Sequence, residues 1–303
     1  MPSHSASTPF TPRPLNSHGL FSYSGISQRP VYDWPGSKRL AVYLGFNLEH
    51  FSFGDGLGAS LGPASPEPDV LNHSWREYGN RVGAWRCLEL FDELSMPTGA
   101  LANTSLYDHC PELVAAFTAR GDEIIGHGHT NAERQATMDE AGERGLLLHC
   151  RERIAQQSGA APGGWLSPWI SESAATPHLL AETGYRYTLN WCHDDQPVQM
   201  QTRSGTLWSI PYPQELNDIP MIIARQMDGK DFAQMIIDNF DEMLRQSRHQ
   251  PLVMGIALHP YIVGQPYRLR HLRRALEHIA ACRDEIWLTT PGAICAHVDA
   301  LAP

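Results

Sequence analysis

Cationic charge is in short supply in this sequence. Its 303 residues carry 23 Lys and Arg against 33 Asp and Glu, a formal net charge of −10. Nucleic acids and anionic membranes are bound by clustered Lys and Arg. Neither is therefore an expected partner, and a neutral or small polar substrate is expected instead. Long apolar runs are missing too. Nowhere do the roughly eighteen apolar residues of a membrane-crossing helix follow one another. The opening MPSHSASTPFTPRPLNSHG has no cationic stretch leading into an apolar one, so no secretory signal is read there. These absences make a cytoplasmic location the expectation, which disfavours a cell-wall substrate. The six cysteines, Cys87, Cys110, Cys150, Cys192, Cys282 and Cys295, include no C-x-x-C pair. Most lie in apolar runs and are expected to be buried free thiols. No Gly-x-Gly-x-x-Gly follows the first strand and no phosphate loop occurs, so a nucleotide-binding reading loses its main support. No internal repeat is found.

What is present is ordinary globular composition, 42% hydrophobic and 18% charged, in a length that suits one large α/β barrel as a single domain. Residues 1–36 are rich in Pro, Ser, Thr and Gly and read as an extended arm laid over the domain or across a partner subunit. Residues 37–303 read as the catalytic domain. RLAVYLGFN is a nearly continuous apolar run of the kind buried parallel strands have. Alternation follows: helix WREYGNRVGAWRCLELFDEL, strand TGALAN, helix CPELVAAFTAR, strand DEIIGHG, a long helix over about 136–157 and strand GGWLS. It continues through helix ATPHLLAETG, strands RYTLN and TLWSIPY, helix DFAQMIIDNFDEMLRQS, strand PLVMGIALH, helix YRLRHLRRALEHIAAC, strand EIWLTT and a helix from Gly292. Such βα alternation means a parallel sheet. Seven to eight parallel strands predict a distorted (β/α) barrel, closed or nearly closed, rather than a doubly wound sheet.

Polar residues collect just beyond the strands' C-terminal ends: Asn47, Glu49 and His50, then Asn103, His127 and Asn131, Ser167, Asn190, Asp194 and Asp195, Glu215, and His259. In parallel barrels that end carries the active site, because the βα loops converge there. Each residue also has a plain structural reading. Glu49 and His50 could cap a helix or face solvent. His127 is framed by Gly126 and Gly128, which allow close approach of backbone to a ligand, while His129 is the structural member of the pair. His259 ends an apolar strand and is stopped by Pro260, holding its ring at the rim. Trp165, Trp169 and Trp191 could line a pocket or pack the rim.

These motifs resemble the polysaccharide-deacetylase superfamily over nearly the whole chain from about residue 30. The family's Asp-Asp pair after the first strand corresponds to Glu49-His50 in FNLEHF, and its His pair four residues apart to His127 and Asn131 in GHGHTN. Its Arg-x-Pro element falls on Leu166-Ser167-Pro168, its Asp-Trp-like element on Asn190-Trp191, and its Leu-His on Leu258-His259. The resemblance implies the same barrel and a divalent metal held at His50, His127 and Asn131. His129 with Glu133 is an alternative register of equal spacing. His50 and Asn131 stand where the family has an anionic ligand and a second His, which weakens the site for Zn²⁺. One divalent metal, Zn²⁺, or none at all is therefore expected. The missing Arg at Leu166 removes the residue that tethers the family's catalytic Asp. These departures, with YGNRVGAWR, LNDIP and LHPYIVGQPYR, look like the allantoinase and cyclic-imide hydrolase branch.

The expected activity is hydrolysis of a non-peptide C–N bond in a small cyclic amide such as an imide, hydantoin or ureide. Glu49 is the expected general base on water and His259 the general acid to the departing nitrogen, with His50 and His127 placing the water directly or through a metal. Asn80, Arg81, Ser167, Trp191, Asp195, Glu215 and Asn217 are the expected substrate contacts, each also able to structure a loop. The alternatives are a metal-dependent polysaccharide or amino-sugar N-deacetylase and a non-catalytic barrel that binds. A homo-oligomer is expected from the arm and the resemblance.

Overall fold

A computed structural model describes residues 13–63 and 67–302 of the chain. Its sheet has nine strands: β1 Leu40–Leu48, β2 Thr98–Ala102, β3 Glu123–Gly126, β4 Gly164–Trp165, β5 Tyr187–Thr188, β6 Val198–Thr202, β7 Gly205–Ser209, β8 Leu252–Leu258 and β9 Trp287–Leu288. The order is β6-β7-β5-β4-β3-β2-β1-β8, with β9 added to the start of β1. Eight strands run parallel, as expected. The ninth, β6, is antiparallel to β7 and is an addition to the expected plan. Its signal is in the sequence, since Val198 and Met200 alternate with Gln199 and Gln201 before a short turn to Gly205. The curl is bridged toward β8 by the segment before Asp218: Ala257 N donates to Leu216 O, and Asn217 pairs with Ala257.

The helices are α1 Val70–Tyr78, α2 Ala84–Glu93, α3 Leu106–His109, α4 Pro111–Ala119, α5 Glu140–Ser158, α6 Thr176–Glu182, α7 Gly229–Gln246, α8 Pro260–Val263, α9 Pro266–Ala281 and α10 Pro291–Leu301. Asp69, Asp139 and Asp228 cap α1, α5 and α7 by accepting first-turn N–H groups. The single helix expected over WREYGNRVGAWRCLELFDEL starts earlier, at that Asp69 cap. It also contains one wide turn, Gly79–Gly83, with π-type hydrogen bonding between α1 and α2.

Period two within the strands sorts the core into an outer and an inner layer. Leu40, Val42, Leu44, Phe46 and Leu48 of β1, and Leu252, Met254, Ile256 and Leu258 of β8, pack outward with helix residues such as Phe91, Phe117, Ile236 and Leu276. Ala41, Tyr43, Leu101, Ile125, Val253 and Ala257 face inward with Tyr187 and Tyr212. All nine residues of β1 are buried, because both of its faces are covered.

The described part of the arm lies on its own barrel. Leu20 is buried beside Trp165 and Leu207, Trp34 Nε1 donates to Leu252 O over 3.1 Å, and Arg29 grips Asp194 through two N–H donors at 2.6 and 2.7 Å. Of the six free cysteines, Cys87, Cys150 and Cys295 are buried as expected. Cys110 and Cys282 are half-buried and Cys192 is exposed on the loop beneath the arm, a correction to the expectation for these three.

The wide turn packs backbone to backbone against the turn that follows β8. A Cβ on Gly83 would stand 2.1 Å from Pro260 O, and one on Gly79 would stand 2.9 Å from Tyr261 N. Gly83→Ala must push these turns apart and is expected to lower stability by about 1–3 kcal/mol, the usual cost of overpacking. Gly145, inside α5 with open space around it, should respond oppositely, Ala adding about 0.5–1 kcal/mol through helix propensity. Denaturation midpoints of both variants test this, and a neutral Gly83→Ala would refute the packing argument.

Candidate active site

Continuing the inward parity of β1 past its end carries Asn47 and then Glu49 to the barrel axis and sends His50 the other way. The same rule brings Asn103 after β2, His127 after β3 and His259 after β8 to the interior. They border a cavity of about 150 Å³ lined by Asn47, Glu49, His127, Asn131, Ser167 and His259, with Trp169, Tyr212, Asn217 and Tyr261 completing its wall. No Lys or Arg reaches it.

Glu49 is buried, 5% exposed. Its Oε1 accepts from Asn131 Nδ2 at 2.5 Å and its Oε2 from Tyr261 OH at 2.7 Å. Asn80 Nδ2 donates to its main-chain O at 2.9 Å. Two ring nitrogens face Oε1: His127 Nε2 at 3.5 Å and His259 Nε2 at 3.6 Å. Burial pushes the carboxyl pKa up, yet His259, His127 and the Tyr261 hydroxyl outweigh it and hold Glu49 below the usual value.

The two imidazoles differ in what fixes them. His127 Nδ1 lies 2.7 Å from Leu166 O and can only donate to it, so on a neutral ring Nε2 carries a lone pair, and that atom is buried without a hydrogen-bond partner. His259 Nδ1 faces Asp218 Oδ1 at 2.6 Å, while its backbone N–H donates to Asp218 Oδ2 at 2.7 Å. Burial pulls the His259 pKa down, but Asp218 and Glu49 reverse this and raise it above the ordinary value. Asp218 is itself pushed up, by burial first, against the pull of His259. Neither Asp218 nor Tyr261 was among the expected site residues, although both stand in quoted segments, LNDIP and LHPYIVGQPYR. Their signal was adjacency, one residue beyond Asn217 and two beyond His259.

Other expected contacts are placed as follows. Ser167 and Asn217 line the cavity. The Ser167 hydroxyl accepts from Trp165 Nε1 and Asn190 Nδ2, and Asn217 Oδ1 accepts from Ile219 N. Asn80 acts on the Glu49 backbone rather than in the cavity. Arg81 is exposed on the outer surface beside His73 and Glu77, because the wide turn points it away from the barrel. Trp191 packs on Phe21 and His18 of the arm and donates to Glu172. Asp195 and Glu215 line a separate depression between Pro211 and Asn239. None of these five lines the cavity, because strand-end position alone does not set direction around the rim.

The three positions expected to hold a metal do not converge. The His50 ring stacks on His109 at 4.1 Å and bonds Ser105 Oγ at 3.0 Å, outside the cavity. Asn131 turns its N–H to Glu49, since a carboxylate can only accept, and its Oδ1 accepts from Asn103 Nδ2 at 3.4 Å. Of the three, only His127 Nε2 stands at the cavity with a free lone pair, and one imidazole does not by itself make a site for a divalent ion. The alternative register fares no better: His129 is exposed and bonded to Thr104, next to His149 rather than Glu49. A different group, His50, Glu77 and His109, does bring one ligand atom each within 4.8 Å of one another.

The wall over the cavity is strained. Trp169 and Ile170 both have positive φ, 61° and 52°, a conformation disfavoured for bulky residues. The turn is held by Trp169 Nε1 donating to Asn131 O at 2.9 Å.

The chain matches no protein-family model. It is similar to a peptidoglycan deacetylase of Helicobacter pylori, with 25% identity over 286 residues, covering 84% of this chain and 94% of that protein. Among solved structures, a probable polysaccharide deacetylase from Pseudomonas aeruginosa superposes with a TM-score of 0.79 at 28% identity, covering 91% of this chain and 96% of that one. An allantoinase, PuuE, superposes with a TM-score of 0.80 at 27% identity, covering 93% and 99%.

If Asp218 is what raises His259, Asp218→Asn must lower it. Titration of the His259 ring by NMR is expected to move to lower pH in the Asn variant, and an unmoved midpoint would remove Asp218 from the account.

Proposed function

Proceeding from the chain's membership of the polysaccharide-deacetylase superfamily, we propose that it hydrolyses a C–N bond in a small, uncharged cyclic amide. The observation that carries this reading is the polarity of the cavity. Glu49 Oε1 is faced at 3.5 and 3.6 Å by two ring nitrogens of unlike character, His127 Nε2 with a free lone pair and His259 Nε2 on a ring with a raised pKa. A cavity of about 150 Å³ suits one five- or six-membered ring, since an engineered cavity of about that volume holds benzene. Among the described residues no Lys or Arg lines it, so it offers no ammonium or guanidinium to a carboxylate or phosphate on the substrate.

In this reading, water donates one O–H to Glu49 and the other to His127 Nε2, leaving a lone pair for the substrate carbonyl. Glu49 takes the proton as the C–O bond forms. The C–N bond then breaks as His259 Nε2 delivers a proton to the departing nitrogen, giving a ring-opened carboxylic acid. Asp218 positions His259, and Asn131 and Tyr261 position Glu49. In the same reading the Asn217 amide, which borders the cavity, meets the substrate carbonyl. No step runs through a metal, because the donors around Glu49 do not make a site for one. An activated ring amide needs less electrophilic help than an acetamide, which is why this branch of the family suits the cavity better than the polymer substrates in the relatives' names.

The test is turnover of succinimide, hydantoin, dihydrouracil and allantoin beside N-acetylglucosamine oligomers. At least one ring compound is expected to react, and activity on the oligomers alone would overturn the proposal. Glu49→Gln should cost about 10²–10⁴-fold in kcat, the usual contribution of general acid–base catalysis. Because Glu49 is held low and His259 high, kcat/KM is expected to be bell-shaped. The acid limb should fall below the ordinary carboxyl range, where Glu49 protonates, and the alkaline limb above pH 6.5, where His259 loses its proton.

A further inference from the structure

Outside the cavity, three elements bring imidazoles around one carboxylate. His50 comes from the segment after β1, Glu77 and His73 from successive turns of α1, and His109 from the end of α3. His109 Nε2 lies 2.9 Å from Glu77 Oε2. His50, Glu77 and His109 each offer a ligand atom, all within 4.8 Å of one another. His73, four residues before Glu77 and so on the same helix face, has its Nδ1 buried without any partner. We infer that His50, Glu77 and His109, with His73 as a fourth arm, bind one transition-metal ion of the Zn²⁺ class, apart from the catalytic cavity.

The chemistry of the set supports this. Three imidazoles and one carboxylate are borderline ligands of the kind Zn²⁺ takes. His50 and His109 stack nearly parallel, 4.1 Å apart and 12° between planes, which two cationic rings would resist. Tetrahedral Zn²⁺ needs ligand atoms about 3.4 Å apart, from bonds of roughly 2.1 Å. Closing from the present separations requires one ring to leave the stack, and His109, at the surface, is free to turn. Glu77 is already half-buried and paired with His109.

Such an ion would tie the segment that follows Glu49 to α1 and α3, elements with no direct covalent link. The inference is independent of the substrate, since none of the four residues lines the cavity. Chelator-treated full-length protein is dialysed against Zn²⁺ alone and analysed for metal, with thermal unfolding measured alongside. One Zn²⁺ per chain in the micromolar range or tighter is expected, with a melting temperature that rises with Zn²⁺ concentration. His109→Ala, at an exposed position, and Glu77→Gln, of nearly the same shape, should each weaken binding by at least about tenfold and abolish the thermal shift. His127→Ala should leave both unchanged. Absence of saturable binding, binding indifferent to His109→Ala and Glu77→Gln, or binding lost in His127→Ala would each overturn the inference, the last by moving the ion into the catalytic cavity.

Discussion

A carboxylate kept ionised inside a protein has to be surrounded, because the unpaired charge would cost several kcal/mol and the group would take up a proton instead. Glu49 meets this demand with contributions from four side chains. Asn131 and Tyr261 donate to its two oxygens, and the rings of His127 and His259 stand against Oε1 at 3.5 and 3.6 Å. They come in two pairs, His127 and Asn131 from the segment after β3 and His259 and Tyr261 from the segment after β8. The barrel is therefore the condition for the charge: β1, β3 and β8 must end at one level for the four groups to reach a single side chain. Asn103 fastens that level by accepting from His50 N at 2.8 Å and donating to His127 O.

The second charge in the site is managed differently. Asp218 is 0% exposed and has its own burial against it. Both of its oxygens are taken up by one residue, the ring and the backbone N–H of His259. A carboxylate engaged in this way cannot turn to accept from anything else, so it acts on the cavity only through the imidazole. The result is two acids of the same kind with opposite shifts, Glu49 down and Asp218 up, divided by which of them receives extra donors. Such separation of titration behaviour is how a single site keeps a base and an acid together near neutral pH.

Much of this was legible from alternation alone. The βα rhythm gave the parallel barrel and pointed to the strand ends, where Glu49, His127, Asn131, Ser167, Asn217 and His259 do border the cavity. The pairing of Glu49 with His50 was the error of most consequence, and it was avoidable. Adjacent residues leaving a strand point to opposite sides, so an inward Glu49 required an outward His50. Arg81, Trp191, Asp195 and Glu215 went astray because strand-end position gives height along the barrel but not angle around it. The wide turn at Gly79–Gly83 and the arm's packing on Trp191 decide that angle, and both depend on contacts between distant segments. Asp218 was hidden for another reason: its partner stands 41 residues away, and only the bridge between Asn217 and Ala257 brings the two together.

The wall of the cavity and the base within it are one mechanical unit. The turn at Trp169 and Ile170 carries backbone strain that isolated residues would relax, at a cost of about 1–3 kcal/mol for each such conformation. It is retained by the indole of Trp169, whose N–H holds Asn131 O, and by Pro168 seated where a side chain on Gly128 would otherwise be. Asn131 is at the same time the shortest donor to Glu49. A ligand that presses on Trp169 therefore reaches the base through one intervening residue, and loosening the turn would loosen the amide that keeps Glu49 charged. Strain at this place is consistent with the need to hold a planar wall against the base, since a relaxed turn would carry both Trp169 and Asn131 away from the cavity together.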